Sequence, residues 1–411
     1  MSKNMTKIVI VGHVDHGKST LIGRILLDTK SLSKEKENEI RRVSRELGKD
    51  TELAFLTDQL KEERERNITI DTTQIFFHTR KRNYCIIDAP GHVEFIKNMM
   101  TGASQAEHAV LIIDAREGIQ EQSRRHAYLI FLLGITRLVV VVNKMDLVGY
   151  SQERFNALTD ELKVFLGKMN TTPLAVIPIS AKAGDNISKN SPRMSWYKGK
   201  PFLYTLDRLS VRAAGKKKPF RMSVQDVYDQ GDRKIIVGEI SSGTLKSGQS
   251  VVVCPDMRSV KIQSIRSFQK TKDIARHGEN IGLTFTSNGD ITRGDVLAEE
   301  TAMVQPTDMF RANIFWMAET PLSVGKRMTL KCATQEVEFF PEKIEKKINS
   351  DTLENIAEKA DSLCQHESGT VILKTARKVV VENFDFIEAL GRFVIEKDDA
   401  LQGAGIILGP L

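Results

Sequence analysis

Along the first half of the chain, unbroken apolar runs alternate with stretches in which apolar residues recur every three or four positions. "KIVIV" (7–11), "YCIID" (84–88), "AVLIID" (109–114), "RLVVVV" (137–142) and "LAVIPI" (174–179) are nearly continuous. Strands of that kind are buried on both faces, as in a parallel sheet sandwiched by helices. Between them, "STLIGRILLDT" and "EQSRRHAYLIFLLG" have helical spacing. Strand and helix in repetition predict a doubly wound α/β sheet of mainly parallel strands over residues 1–212.

The pattern changes after "RAAGKKKPF", where Gly215 and the lysines that follow predict a linker. Over residues 218–302 the chain consists of short β runs broken by glycine, such as "GEISSGTLKSGQSVVVCP", "NIGLTF" and "GDITRGDVLA", which is the pattern of a small β-barrel. A second β-rich stretch over 305–411 predicts another barrel, with one helical interlude at "DTLENIAEKAD". No fixed-period repeat is visible. The expected architecture is therefore an α/β domain followed by two β-barrel domains.

Composition changes this picture little. With 411 residues, 41% hydrophobic and 27% charged, the chain is globular and too long for one ordinary domain. Its apolar runs are too short to cross a bilayer, and "MSKNMTKIVIVG" has neither the apolar core nor the cleavage site of a signal peptide. Cys85, Cys254, Cys332 and Cys364 lie far apart, without metal-like pairing, and read as reduced thiols, mostly in buried strands. A cytoplasmic protein with no membrane partner is expected. The net charge of +7 comes from 60 basic and 53 acidic residues dispersed along the chain, a solvated surface rather than a nucleic-acid track.

The chemistry lies in four short motifs. "GHVDHGKST" places Gly12, His13, Val14, Asp15, His16, Gly17, Lys18, Ser19 and Thr20 between a strand and a helix, fitting G-x-x-x-x-G-K-[ST]. Its backbone N–H groups and the helix N-terminus suit phosphate, Lys18 would neutralise β- and γ-phosphates, and Ser19 would ligate Mg²⁺. The side chains of His13 and His16 are given no catalytic role. "DAPGH" follows the next strand: Asp88 can hold Mg²⁺ through water, and the Gly91 N–H can reach a γ-phosphate. His92, one residue on, is the candidate that orients an attacking water.

"NKMD" (Asn143, Lys144, Met145, Asp146) ends another strand. The Asp146 carboxylate can accept from the N1–H and exocyclic amine of guanine, donors that adenine lacks. "SAK" (Ser180, Ala181, Lys182) follows the next strand, and the Ala181 N–H could meet the guanine O6. Together these predict a site for GTP and GDP with Mg²⁺. "ERERNITID" supplies Thr69, placed to close over Mg²⁺ and γ-phosphate as a switch, and the charged stretch 33–49 reads as a switch insertion.

These motifs resemble the translation-factor class of P-loop GTPases, elongation factor Tu and its archaeal and eukaryotic counterpart, and the similarity runs end to end. Within that class, the double arginine before His126, the stretch "GDNISKNSPRMSWYKGKPFLYTLDRLSV" and above all "FRANIFWMAETPLSVGKRMTLKCAT" (310–334) are similar to the large subunit of bacterial sulfate adenylyltransferase. That resemblance implies a GTPase subunit paired with a small catalytic subunit of the ATP-pyrophosphatase type. The pair makes adenosine 5′-phosphosulfate and pyrophosphate from ATP and sulfate, helped by GTP hydrolysis. No second phosphate loop follows, so no adenylyl-sulfate kinase is expected. The sequence departs from the subunit's usual pattern at His16, where a second aspartate is customary, and at Asn67, where glycine is. The alternatives are an elongation factor delivering aminoacyl-tRNA, and a related GTPase whose adenylating partner uses another acid.

Overall fold

The computed structural model describes residues 5–32, 73–88, 106, 108–132, 134–135, 137–169, 171–209, 218–230, 233–267, 270–286, 290–350 and 352–411. They fall into two compact units, the first drawn from residues 1–131 and 135–213 and the second from 132–134 and 214–411.

The first unit is built on a six-stranded sheet of β1 (Met5–Gly12), β2 (Thr73–His78), β3 (Asn83–Asp88), β4 (His108–Asp114), β5 (Leu138–Asn143) and β6 (Ala175–Pro178). Their order across the sheet is β2-β3-β1-β4-β5-β6. All neighbours run parallel except β2, which pairs antiparallel with β3 at the edge. The central strands are buried on both faces; every residue of β4 and β5 is enclosed. This is the reason those runs are continuously apolar.

The helices are α1 (Lys18–Asp28), α2 (Glu121–Leu132), α3 (Gln152–Gly167) and α4 (Phe202–Arg208). The first two match the helical spacing of the sequence. In α3, Ser151 caps the N-terminus by accepting from the Arg154 N–H at 3.1 Å, and Leu158, Leu162 and Phe165 point inward at helical intervals. Successive crossovers fill opposite sides of β1, so the sheet switches direction there. Ligands of such sheets bind at the carboxyl ends of strands beside the switch, which is where the phosphate-loop motif falls.

The second unit holds two barrels. In the first, β7 (Arg221–Gln230), β8 (Arg233–Ser242), β9 (Thr244–Lys246), β10 (Ser250–Cys254), β11 (Arg258–Ser267), β12 (Lys270–Lys272), β13 (Ile274–Arg276), β14 (Asn280–Phe285) and β15 (Val296–Glu299) follow one another. Six of them close in the order β10-β15-β7-β8-β14-β11, with β11 returning to β10. Register shifts within β7 and β11 add the local bend that closure needs.

The other barrel comprises β16 (Thr307–Trp316), β17 (Leu322–Ser323), β18 (Met328–Cys332), β19 (Gln335–Asn349), β20 (Asn355–Ala360), β21 (Ser362–Leu363), β22 (Glu367–Val379), β23 (Arg392–Lys397) and β24 (Ala400–Pro410), with a one-turn helix α5 (Glu388–Gly391). It closes as β18-β23-β24-β16-β22-β19, back to β18. The helix expected at "DTLENIAEKAD" is not formed: Asn355–Ala360 is strand β20, paired antiparallel with β19. Glu, Ala and Lys favour a helix in isolation, but a neighbouring strand edge offers the backbone a full ladder, and that tertiary pairing overrides propensity.

An apolar seam joins the two barrels: Val252, Cys254, Val296 and Ala298 pack with Val380, Ile387 and Leu390. Beside it, the buried Arg221 guanidinium donates through Nε to Glu382 Oε1 at 3.0 Å and to the carbonyls of Phe220 and Ala302 at 2.9 and 2.8 Å. Each charge is thus fully matched, as burial demands. Three of the four cysteines, Cys85, Cys254 and Cys332, are buried in strands, and Cys364 is exposed.

Trp316, from the "WMAE" run, is wholly buried in the last barrel, with its Nε1 donating to the Thr320 carbonyl at 2.8 Å. It lies against Gly403, where an added Cβ would come within 2.8 Å of the indole. Its place in that run is thus explained by packing. Trp316→Ala is expected to destabilise this unit by about 3–5 kcal/mol, measured as a shift in the urea midpoint of the barrel transition; a change under about 1 kcal/mol would remove the indole from the core.

Candidate functional site

The phosphate-loop motif leaves β1 at Gly12 and enters α1 at Lys18. Two glycines make the path possible. At Gly12 a Cβ would sit 2.4 Å from the Ile112 carbonyl on the neighbouring β4, and at Gly17, with φ of 93°, it would sit 2.4 Å from Asn143 Nδ2. No side chain caps α1 and its first turn carries no acid, so the positive end of the helix faces the loop uncompensated. Lys18 curls back, donating from Nζ to the carbonyls of Gly12 and His13 at 2.8 and 3.0 Å. Ser19 and Thr20 are half-buried at the helix start. Val14 and Asp15 are exposed, and Asp15 takes a φ of 63°.

His16 is completely buried. Its Nδ1 lies 3.3 Å from the Ile112 carbonyl and its Nε2 3.5 Å from Glu117 Oε2. Burial holds its imidazole below the ordinary value, against the opposing pull of the Ile112 carbonyl, so the ring is neutral at pH 7. Its ring therefore wedges the loop against the end of β4.

The other two motifs come to the same end of the sheet. The Asn143 side chain ties them to the phosphate loop: Nδ2 donates to the His16 carbonyl at 2.9 Å, and Oδ1 accepts from the Ala181 N–H at 2.9 Å. Asn143 was expected among the guanine contacts, and the Ala181 N–H was expected to meet O6. Here the two groups are bonded to each other inside the protein, because both are buried and each needs a partner. Ser180 anchors the turn that follows, its Oγ accepting from the Ala183 N–H at 3.2 Å, while Lys182 is exposed. Arg24 of α1 reaches across to the Ala183 carbonyl at 3.4 Å. One bridge through Asn143 thus links the phosphate loop to the "SAK" turn, and one bond from α1 adds to it.

Lys144, with φ of 61°, places Nζ 2.7 Å from Asp114 Oδ2. Asp114 was missed by sequence reasoning. It is fully buried at the end of β4, and its Oδ1 also accepts from the N–H of Arg116 at 2.7 Å. Burial raises its carboxyl, but Lys144 and the amides outweigh burial and hold it below the usual range. The available signal was its place as the charged end of an apolar strand. Asp146 is the second residue of the 3-10 turn Met145–Val148 and is partly exposed. Among the described residues no hydrogen bond or ion pair occupies its carboxylate. Asp88 ends β3 beside Ile10 of β1, at the same pole, with its side chain outside the description. Thr69, Gly91, His92, Asn67 and the stretch 33–49 lie outside the described residues.

The donor set fits a nucleoside phosphate with Mg²⁺. An uncapped helix end, a lysine folded over the loop and a hydroxyl one residue on suit phosphates and a cation that keeps most of its waters. Among the described residues no helix is long and apolar enough to cross a membrane.

Comparison with known proteins agrees with this arrangement. The model of the elongation factor Tu GTP binding domain matches residues 3–245, elongation factor Tu domain 2 matches 233–298, and the GTP-eEF1A C-terminal domain-like model matches 309–408. The chain is 36% identical to sulfate adenylyltransferase subunit 1 of Francisella tularensis, covering 100% of this chain and 88% of that one. It is 37% identical to elongation factor 1-alpha of Thermococcus kodakarensis, covering 99% and 98%. It is also 37% identical to sulfate adenylyltransferase subunit 1 of Methylorubrum populi, over 93% and 82%.

Proposed function

This chain belongs to the elongation factor Tu family of GTPases, and on that premise we propose that it is the regulatory subunit of a two-part sulfate adenylyltransferase. The observation that carries the nucleotide half of this reading is the Asn143 side chain, which bonds the phosphate loop on one side and the "SAK" turn on the other. The finer assignment draws on residues 310–334 and on relatives named sulfate adenylyltransferase subunit 1, a name that implies a second subunit.

In this reading the backbone from Gly12 to Thr20, with Lys18, holds the phosphates. Ser19, Thr69 and Asp88 hold Mg²⁺, which when bound spreads the charge of the β- and γ-phosphates. Asp146 reads the guanine edge, while Lys144 and Lys182 flank the base. Gly91 and Thr69 sense the γ-phosphate, and His92 orients the water that attacks it, giving GDP and phosphate. Asn143 and Ala181 act through one another, fixing the base pocket relative to the loop.

Hydrolysis does useful work only if the partner binds the two nucleotide states unequally, a tenfold preference corresponding to about 1.4 kcal/mol. The partner is a small subunit of the ATP-pyrophosphatase type that forms the adenylyl-sulfate bond. The test is to co-purify the chain with such a subunit and measure sulfate-dependent pyrophosphate release with and without GTP. GTP stimulation is expected. No stimulation, together with tight GTP-dependent binding of aminoacyl-tRNA, would move the chain to the elongation-factor branch that its other relatives represent.

His92→Ala is expected to slow single-turnover GTP hydrolysis about 10²–10³-fold and to leave GTP affinity within about threefold. Parallel losses in both would make His92 a structural residue.

A further inference from the structure

Three cations converge on one tyrosine, at the pole of the α/β unit away from the phosphate loop. Strands β1 and β3 run parallel and end at the nucleotide pole with Gly12 and Asp88. The turn joining β2 to β3, residues 79–82, therefore lies at the other pole, about 20 Å away by the rise of the six-residue β3. Helix α4 is fastened there. Asp207 Oδ1 accepts from Thr79 Oγ1 at 2.6 Å and from the Tyr84 hydroxyl at 2.8 Å, and the Arg82 guanidinium donates to the Leu209 carbonyl.

On the outer side of this joint, Lys81 Nζ, Lys200 Nζ and Arg208 Cζ stand 5.5, 5.6 and 5.4 Å from the centroid of the Tyr204 ring. All four residues are exposed, and among the described residues none of the three cations has an ion-pair partner. Asp207 is the sole acid in 78–84 and 195–209, and its carboxylate is turned inward. Arg80 and Lys198 add further exposed positive charge.

An ordinary solvated face does not look like this. In the last barrel several exposed or half-buried basic residues stand against acids, Lys331 with Glu396, Lys347 with Glu367, and Arg311 with Glu345, rather than against one another. Around Tyr204, three like charges share one ring, whose negative faces offset only part of their repulsion. Carboxylates entering among them would relieve the remainder.

We propose that this patch docks a compact acidic surface of a protein partner. Its geometry disfavours a nucleic acid. The ring that would stack a base is already attended by cations, and the charges meet at one spot rather than tracking a line of phosphates. The proposal stands apart from the reading of the nucleotide site, which lies at the opposite pole.

The test uses the full-length chain and a fluorescein-labelled deca-glutamate peptide, titrated by anisotropy at low salt. An oligothymidylate of equal charge is the competing probe. Lys81→Glu/Lys200→Glu/Arg208→Glu is expected to weaken peptide binding at least tenfold and to flatten its salt dependence. Lys246→Glu/Lys261→Glu/Lys270→Glu, three exposed lysines of the first barrel, should change it less than threefold. GTP affinity and the thermal midpoint serve as folding controls; if charge reversal disturbs either, Lys81→Gln/Lys200→Gln/Arg208→Gln decides by the same criterion. Equal losses in both sets of variants would overturn the proposal. So would tighter binding of the oligothymidylate that disappears with the patch, which would make this a nucleic-acid surface.

Discussion

Asp146→Asn is expected to lower GTP affinity about 10⁴-fold and to admit xanthosine triphosphate in its place. The carboxylate is free of internal partners among the described residues, so nothing in the protein changes when it becomes an amide. What changes is the base edge it can meet. A carboxylate accepts from both the N1–H and the 2-amino group of guanine; the amide turns one acceptor into a donor and sets it against that amino group. Xanthine carries an oxygen there, and the amide matches it. Isothermal titration with GTP, xanthosine triphosphate and ATP reads the exchange directly. Unchanged preference for GTP would take Asp146 out of the base pocket. The melting temperature without nucleotide should stay within a degree or two of the parent, since no buried bond is lost.

Asn143→Ala should behave in the opposite way. The His16 carbonyl and the Ala181 N–H both lie in fully buried residues, and each loses its partner from this side chain. Stranding two buried polar groups is expected to cost about 2–5 kcal/mol, visible as a lower melting temperature with no nucleotide present. GTP affinity should fall as well, by about 10²-fold or more, because the phosphate loop and the "SAK" turn lose their common strut. The contrast between the variants separates a side chain that reads the ligand from one that holds the reader in place. A wild-type melt for Asn143→Ala would show that the strut is dispensable.

The phosphate loop, the parallel strands and the two flanking helices were legible because each follows from local chemistry. Gly12 and Gly17 occupy positions where a Cβ has no room, and runs such as Leu138–Asn143 are apolar because both faces are covered. What escaped is set by neighbours distant in sequence. Asp114 and Asn143 stand side by side because β4 and β5 pair in that register, and only then does Lys144 come within reach of Asp114. Nothing near Asp114 in the chain announces that contact. The expected helix at 355–360 failed for the same reason: Ile344 and Lys347 of β19 offer a ladder that the segment alone cannot reveal. Asn143 was expected to touch guanine; its amide is instead bonded to backbone groups of two other loops, contacts that its own stretch of sequence does not reveal.

The β5 run has a further consequence, for the chain before it is folded. Leu138–Asn143 holds four consecutive valines with no charge, the composition of a segment that pairs readily with copies of itself when exposed. During synthesis it emerges ahead of the strand that will cover its far edge, β6, and more than thirty residues separate the starts of the two. Arg137 and Lys144 bracket it on either side, and flanking charges of this kind act as gatekeepers against self-association. Lys144 thus serves twice: as a guard for the nascent strand, and afterwards as the counterion that lets Asp114 stay buried.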